Sequence, residues 1–314
     1  MWPSVRALRG LAGPAAAAIG HGRSVATLSG ALHARGGDAS ALALAAPAQG
    51  ISWSRAELTG HVNHLAGVLT TLGYTGGDVI ATDLASCAEN LVLQLAASHL
   101  GLAVLTLKDE KGLGKFGSSL NVKGAMLTGV DSFLAQAGLP LPCLTVADAH
   151  NSTGEVNTRI VGAADGDAPL GYYSSAAPVT NAAAMAAGSA AREKLEMTEK
   201  DVVLVSITLN HLFGIGSAVS AALQSGAAIV LPDASGVVGC GSPSQRAQKT
   251  LEFLDALGCT LLYADTHTHK ALIEAGPGQL KNLRGGICKI GSGTTFLEST
   301  ADLSGVKLFH MGKA

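Results

Sequence analysis

The stretch from Ser54 to Leu107 admits few folds. Ser54-Arg55-Ala56-Glu57 has the form of a capping box, in which the serine hydroxyl accepts the Glu57 N–H and the glutamate reaches back to the serine N–H, so a helix starts there. Leu58, Val62, Leu65, Leu69 and Leu72 then recur on one helical face, and Gly73 supplies a stop. A Gly76-Gly77-Asp78 turn follows, then a strand-like Val79–Thr82, a helix near Asn90–His99 and a strand-like Ala103–Leu107. Strand, helix, strand in this order predicts a βαβ unit, which requires a parallel sheet with a helix packed on it.

The rhythm returns later in the chain. Val202–Ile207 reads as a strand, Gly216–Gln224 as a helix and Ala227–Leu231 as a strand. Ser242-Pro243-Ser244-Gln245 is a second capping signature, with proline at the first helical position and a stop at Gly258. Cys259–Tyr263 is expected as a strand, His269–Ala275 as a helix and Gly286–Ile290 as the last strand. The expected fold is therefore α/β, with two βαβ-type layered subdomains at 38–150 and 172–314. The acidic, glycine-rich 151–171 is read as their linker. A hydrophobic content of 47% against 14% charged residues over 314 residues excludes an intrinsically disordered chain.

Charge is unevenly placed. Residues 1–37 hold Arg6, Arg9, Arg23 and Arg35 with no acid, and the remainder carries 17 bases and 23 acids. An acid-free segment of arginine, alanine and serine has the composition of a mitochondrial targeting sequence, with Trp2, Val5, Leu8 and Leu11 available as an apolar face. The longest apolar stretch, Ile215–Leu231, is broken by Ser217, Ser220, Gln224, Ser225 and Gly226, so no membrane-crossing helix is expected. A net charge of −2 with no basic cluster outside the N-terminus gives no reason to expect a nucleic-acid partner.

Five cysteines are scattered without a CxxC pair and are expected as reduced, packed thiols. His267 and His269 would share a face of a strand, but no third ligand stands near them, so no metal is expected. Gly112-Leu113-Gly114-Lys115-Phe116-Gly117 matches G-x-G-x-x-G. However, Lys108–Lys111 separate it from the preceding strand and no amphipathic helix follows, so it reads as a surface connection rather than a dinucleotide site.

The order of motifs resembles a known superfamily. Ile51–Leu58, Leu65-Ala66, Leu69, Leu72-Gly73 and Gly77–Ile80 resemble the opening of adenylate-forming enzymes of the acyl-CoA synthetase and luciferase type. Asp201–Leu204 leading into His211-Leu212-Phe213-Gly214, and Ala222–Pro232, resemble later blocks of the same enzymes. The resemblance runs from about Ala41 to the C-terminus, and implies the large N-terminal domain of such an enzyme.

It also implies where a phosphate loop should lie. Gly171–Ala184 occupies that place, with Tyr172 or Tyr173 matching the family's tyrosine and Ser174 its serine. Ser175 falls on the first glycine, Ala176 and Ala177 on the hydroxyl pair, Pro178 on the next glycine and Asn181 on the lysine. Phosphate is held by closely approaching backbone N–H groups, hydroxyl donors and a cation. Alanine removes the hydroxyls, Pro178 removes an N–H, and no lysine occurs between Lys123 and Lys194. Tyr173, Ser174, Ser175 and Asn181 are thus read as a remnant, with a short turn from Tyr172 to Pro178 running into an alanine-rich helix.

The resemblance places His211 near the family's acyl pocket and Gly291-Ser292-Gly293 beside its adenine. Both are candidate binding remnants, His211, Gly291 and Gly293 by residue, with a partly buried histidine and a strand-end turn as the plain alternatives. The family's later glutamate, ribose and C-terminal lysine motifs have no counterpart before Ala314. These losses predict no catalytic residue and no cofactor. The expected role is a structural accessory subunit of a mitochondrial assembly, most simply a respiratory complex of the inner membrane such as complex I or ATP synthase. Its partners would be other protein subunits, met through apolar surface that the missing parts uncover. A module that still binds CoA, an acyl group or a nucleotide without turnover is the alternative.

Overall fold

The computed structural model describes residues 26–34, 38–116, 119–129, 131–139, 144–145, 165–173, 177–232 and 242–313. Its elements are α1 (Leu28–Ala34), β1 (Leu42–Ala46), β2 (Ile51–Ser54), α2 (Arg55–Thr71), β3 (Val79–Thr82), α3 (Ala88–Leu100), β4 (Ala103–Thr106), α4 (Glu110–Phe116), β5 (Val122–Leu127) and β6 (Leu144–Thr145). After these come β7 (Pro169–Tyr172), β8 (Val179–Thr180), α5 (Asn181–Lys194), β9 (Val202–Ser206), a π-helical stretch (Leu212–Ser220), α6 (Ala221–Ser225) and β10 (Ala228–Val230). The chain continues through α7 (Pro243–Ala256), β11 (Leu261–Asp265), α8 (Thr266–Glu274), β12 (Gly285–Lys289), β13 (Thr295–Leu303) and β14 (Val306–Gly312).

Local chemistry sets the best-read elements. The Ser54 capping box forms as expected, with Glu57 N donating to Ser54 Oγ and Ser54 N to Glu57 Oε2. Such a cap contributes about 1 kcal/mol, whereas Leu58, Val62, Leu65 and Leu69, all buried, each contribute about 1.5–3 kcal/mol, so packing rather than capping holds α2. β3, α3 and β4 form the expected βαβ unit, in register from Val79↔Ala103 to Thr82↔Thr106.

Two sheets result. The larger runs β13-β14-β12-β11-β9-β10-β1-β2 and the smaller β6-β5-β3-β4-β7-β8. Their interiors are parallel, and the antiparallel pairs β13/β14, β1/β2 and β7/β8 stand at edges. The sheets do not follow the 38–150 and 172–314 division: β1 pairs with β10 (Leu44↔Ile229) in the larger sheet, while β7 pairs with β4 (Leu105↔Tyr172) in the smaller. Each sheet therefore takes strands from both halves, and β7 begins inside the stretch read as a linker.

The largest apolar cluster fills the layer between the sheets, where Leu65, Leu93, Ala184 and Phe213 meet Ile80 and Val104 on one side and Val203, Tyr263 and Ile287 on the other. α7 and α8 cover the outer face of the larger sheet, with Ala247, Leu254 and Leu272 against Leu204, Leu262 and Cys288. Leu113 and Phe116 of α4 cover the outer face of the smaller one.

Several expectations need correction. α1 lies within the segment read as a targeting extension, yet Leu28, Ala31 and Leu32, spaced to share one helical face, are buried in the central core. Residues 1–25 are outside the described region. Gly112 and Gly114 sit in α4, a helix, and not on a surface connection; Gly117 is not described. Pro243 opens α7, but Ser242 makes no side-chain cap, because its hydroxyl pairs with that of Ser244 at 3.0 Å. His267 and His269 are on α8, not a strand, and His269 Nε2 lies 2.8 Å from the Asp302 carbonyl. Gly285–Lys289 is not the last strand, since the β13/β14 hairpin follows.

Among the described residues no helix is long and apolar enough to cross a membrane, and no group of three metal-ligating side chains occurs. Ile273 is the one large hydrophobic side chain exposed among them, so the expected uncovered apolar surface is not found there. Cys87, Cys259 and Cys288 are free and buried.

Candidate functional site

Two of the residues singled out in the sequence, Tyr173 and Asn181, are held by α3. Of its thirteen residues ten are buried, yet three of those, Asn90, Gln94 and Ser98, are polar and stand one turn apart on a single stripe. Buried polar groups need partners, and here they find them in the segments that carry the candidate site.

Tyr173 follows β7 and turns inward, where its hydroxyl donates to Gln94 Oε1. Gly171 makes this rotamer available, because a Cβ at that position would overlap the Tyr173 ring. Gln94 Nε2 donates to Asn90 Oδ1 at 3.1 Å and to Asn210 Oδ1 at 3.3 Å, and Asn90 Nδ2 donates to the Ala85 carbonyl at 2.7 Å. Burial pushes the Tyr173 hydroxyl well above the ordinary tyrosine range, so it stays a neutral donor.

One turn along, Ser98 Oγ donates to Asn181 Oδ1 at 2.6 Å. The same oxygen accepts Leu28 N–H at 3.4 Å, and Asn181 Nδ2 donates to the Ala168 carbonyl at 3.3 Å. Asn181 is fully buried as the first residue of α5, and Thr180 caps that helix by accepting from Ala183 N at 3.1 Å. Tyr172 ends β7 and β8 returns antiparallel to it (Gly171↔Val179), on either side of the expected turn. Ser174 and Ser175 lie outside the described residues.

His211 follows the carboxyl end of β9. Its Nδ1 accepts Phe213 N–H at 3.0 Å, and Lys289 Nζ, at the end of β12, lies 2.8 Å from Nε2. Burial, and then the Lys289 charge, hold the imidazole down to about 4, so it is neutral at ordinary pH. Lys289 is itself buried and lies over the Phe213 ring, 5.8 Å from its centroid. Sequence reasoning did not single out Lys289, nor the α3 stripe; a four-residue spacing of amide and hydroxyl side chains in an otherwise apolar helix was the available signal.

Gly291 and Gly293 form the turn between β12 and β13, at φ +55° and +99°. At Gly293 a Cβ would stand 2.6 Å from the Gly312 carbonyl oxygen, so the turn needs glycine to return the chain onto β14. Tyr173 is thus joined through Gln94 to Asn210, the neighbour of His211, and Asn181 is held on the same helix at Ser98. Gly291 and Gly293 sit two and four residues beyond Lys289.

A separate cleft between β2, α2, α3 and β5 is lined by Trp53, His61, His64, Leu65, Glu89, Val92 and Met126, with the Trp53 and His61 rings 4.0 Å apart.

No protein-family model and no curated protein matches the chain. Solved structures do. MatB from Rhodopseudomonas palustris is 21% identical with a TM-score of 0.65, over 86% of this chain and 55% of its own. o-Succinylbenzoate coenzyme A synthetase (MenE) from Bacillus subtilis is 18% identical with a TM-score of 0.67, over 80% of this chain and 54% of its own. The N-terminal domain of FACL13 from Mycobacterium tuberculosis is 14% identical with a TM-score of 0.70, over 92% of this chain and 76% of that one. The chain spans about half the length of the MatB and MenE structures it matches. Two parallel-rich sheets sandwiching a shared helical layer, matched over most of this chain, give it the fold of the N-terminal domain of adenylate-forming, acyl-CoA synthetase-type enzymes.

Proposed function

We propose that the chain is a non-catalytic structural accessory subunit of a mitochondrial multi-subunit assembly, derived from an acyl-CoA synthetase-like enzyme. The assembly best suited is a respiratory complex of the inner membrane, complex I or ATP synthase, with the chain peripheral on the matrix side. The observation that carries this reading is the use made of the phosphate-loop place. Tyr173 is turned into the core on Gln94, and Asn181, at the position of the family's lysine, has its amide engaged by Ser98, Leu28 and Ala168. Residues 171–184 hold neither lysine nor arginine. The side chains of Tyr173 and Asn181, engaged in the core, are not available to a polyphosphate. The arginine-rich, acid-free N-terminus supports the mitochondrial assignment.

The second reading, a CoA, acyl or nucleotide binding module without turnover, is favoured by one feature. Lys289 and the neutral His211 place a cation and an imidazole together at the carboxyl ends of β12 and β9, where open α/β sheets bind ligands. Thermal unfolding with ATP, AMP, CoA and an acyl-CoA, each against an equal concentration of inorganic phosphate, separates the two. The structural reading predicts no shift beyond that of phosphate; saturable stabilisation by any of the four would replace it with the second.

A further inference from the structure

α7 carries a buried guanidinium whose donors are mostly unused. Arg246 is 6% exposed, and its Nε and Nη1 are buried without a hydrogen-bond partner among the described residues. Its Nη2 lies 3.7 Å from Asp265 Oδ2, beyond hydrogen-bond reach. Asp265 meanwhile spends its other oxygen on α8, accepting Thr268 N–H and Thr268 Oγ1–H at 2.7 Å each. A guanidinium removed from water with open N–H groups is costly unless an acceptor fills the gap.

Topology places this group where ligands are expected. β9 lies between β10 and β11 in the sheet. The chain leaves β9 for β10 through the π-helical stretch and α6 in the layer between the sheets, then returns from β10 to β11 through α7 on the outer face. The strand order reverses here, and crevices at such reversals, outside the carboxyl ends of the strands, are the usual ligand sites of open α/β sheets. Arg246 stands over this one. One turn along α7, Thr250 donates to the Arg246 carbonyl at 2.7 Å and meets Ser206, the last residue of β9, at 2.6 Å; Asp265 is the last residue of β11.

The helix end adds to the same field. Arg246 is the fourth residue of the fourteen-residue α7 and so stands within one turn of its N-terminus, which Ser242 leaves without a side-chain cap. A cation with open donors beside the positive end of a helix selects an anion. We propose that Arg246 and the first turn of α7 bind a small oxyanion, a carboxylate or a phosphate group, in the crevice at the carboxyl ends of β9 and β11. This site uses the outer face of the larger sheet, whereas Tyr173 and Asn181 face the layer between the sheets, and it holds whether or not the chain joins an assembly.

Thermal unfolding of the full chain in sodium phosphate, sodium acetate and sodium chloride at matched ionic strength tests it. The expected result is a Tm that rises with the logarithm of phosphate or acetate concentration relative to chloride. Arg246→Met should abolish the rise, and Lys249→Met, an exposed cation on the same helix, should keep it. A rise with phosphate alone identifies a phosphoryl ligand, and a rise with acetate, alone or also with phosphate, a carboxylate. Equal Tm in the three salts, a rise that survives Arg246→Met, or a rise that Lys249→Met also abolishes would overturn the proposal. Should Arg246→Met fail to fold, equilibrium dialysis of labelled phosphate and labelled acetate against the wild-type chain decides: one site per chain for either supports the proposal, and none for both overturns it.

Discussion

The Tyr173 hydroxyl donates to Gln94 Oε1 in the layer between the two sheets, and so anchors the end of β7 to the middle of α3. Tyr173→Phe leaves that amide oxygen buried without its donor and is expected to cost about 1–3 kcal/mol. Urea denaturation of Tyr173→Phe, Gln94→Leu and the double variant should give a coupling energy of at least about 0.5 kcal/mol. Strict additivity would show that the pair does not hold the segment.

Asn181, which the sequence resemblance aligns with a phosphate-loop lysine, is fully buried, with three partners on its side chain. A lysine placed there should therefore not create a phosphate site. Asn181→Lys buries an unpaired ammonium and is expected to cost about 3 kcal/mol or more, well above the effect of Asn181→Ser. A stable Asn181→Lys chain that ATP stabilises further would contradict this account.

His211 gives the fold a pH dependence of known sign. The imidazole is held to about 4 in the folded chain, by burial first and Lys289 second, against about 6.5 for an exposed histidine. Between these values the unfolded chain binds more protons, so stability is intact above about pH 6.5 and falls as pH drops toward 4, by at most about 1.4 kcal/mol per pH unit. Burial also lowers His99 and His310, so the measurement is the difference between wild type and His211→Asn, which keeps an acceptor for Phe213 N–H. The two stability curves should diverge below pH 6.5; parallel curves would refute the shift.

Two helical glycines should respond to alanine with opposite signs. At Gly188 of α5 a Cβ would stand 2.7 Å from both Ser220 Cβ and Gln224 Nε2, inside the network that Gln224 makes with Met185 and Ser220. Overpacking of about 1–3 kcal/mol outweighs the gain of about 1 kcal/mol in helix propensity, so Gly188→Ala should lower Tm. Gly60 of α2 is exposed, with no atom near its Cβ position, and Gly60→Ala should stabilise by about 0.5–1 kcal/mol.

What the sequence shows depends on how local the cause is. The Ser54 cap and the face of α2 are local, and both were legible. The sheet that a strand joins is not: nothing near Leu44 announces its pairing with Ile229, and nothing near Leu105 its pairing with Tyr172. The β13/β14 hairpin escaped because β13 is an edge strand with an irregularity between Phe296 and Thr300, although its tight turn at Ser304-Gly305, both at positive φ, was a usable signal. α4 forms where a connection was expected because Leu113 and Phe116 pack on the outer face of the smaller sheet. That Gly171–Ala184 holds neither lysine nor arginine was plain from residue types, but its attachment to Gln94 and Ser98 depends on a polar stripe some eighty residues earlier whose meaning is set only in three dimensions.

The central claim, a subunit of a mitochondrial assembly, is tested most directly by native electrophoresis of detergent-solubilised mitochondria from the source organism, with mass spectrometry of each band. The account predicts that the chain migrates with a large inner-membrane respiratory complex, in fixed ratio to its other subunits. Migration as a free monomer of about 31 kDa would contradict it.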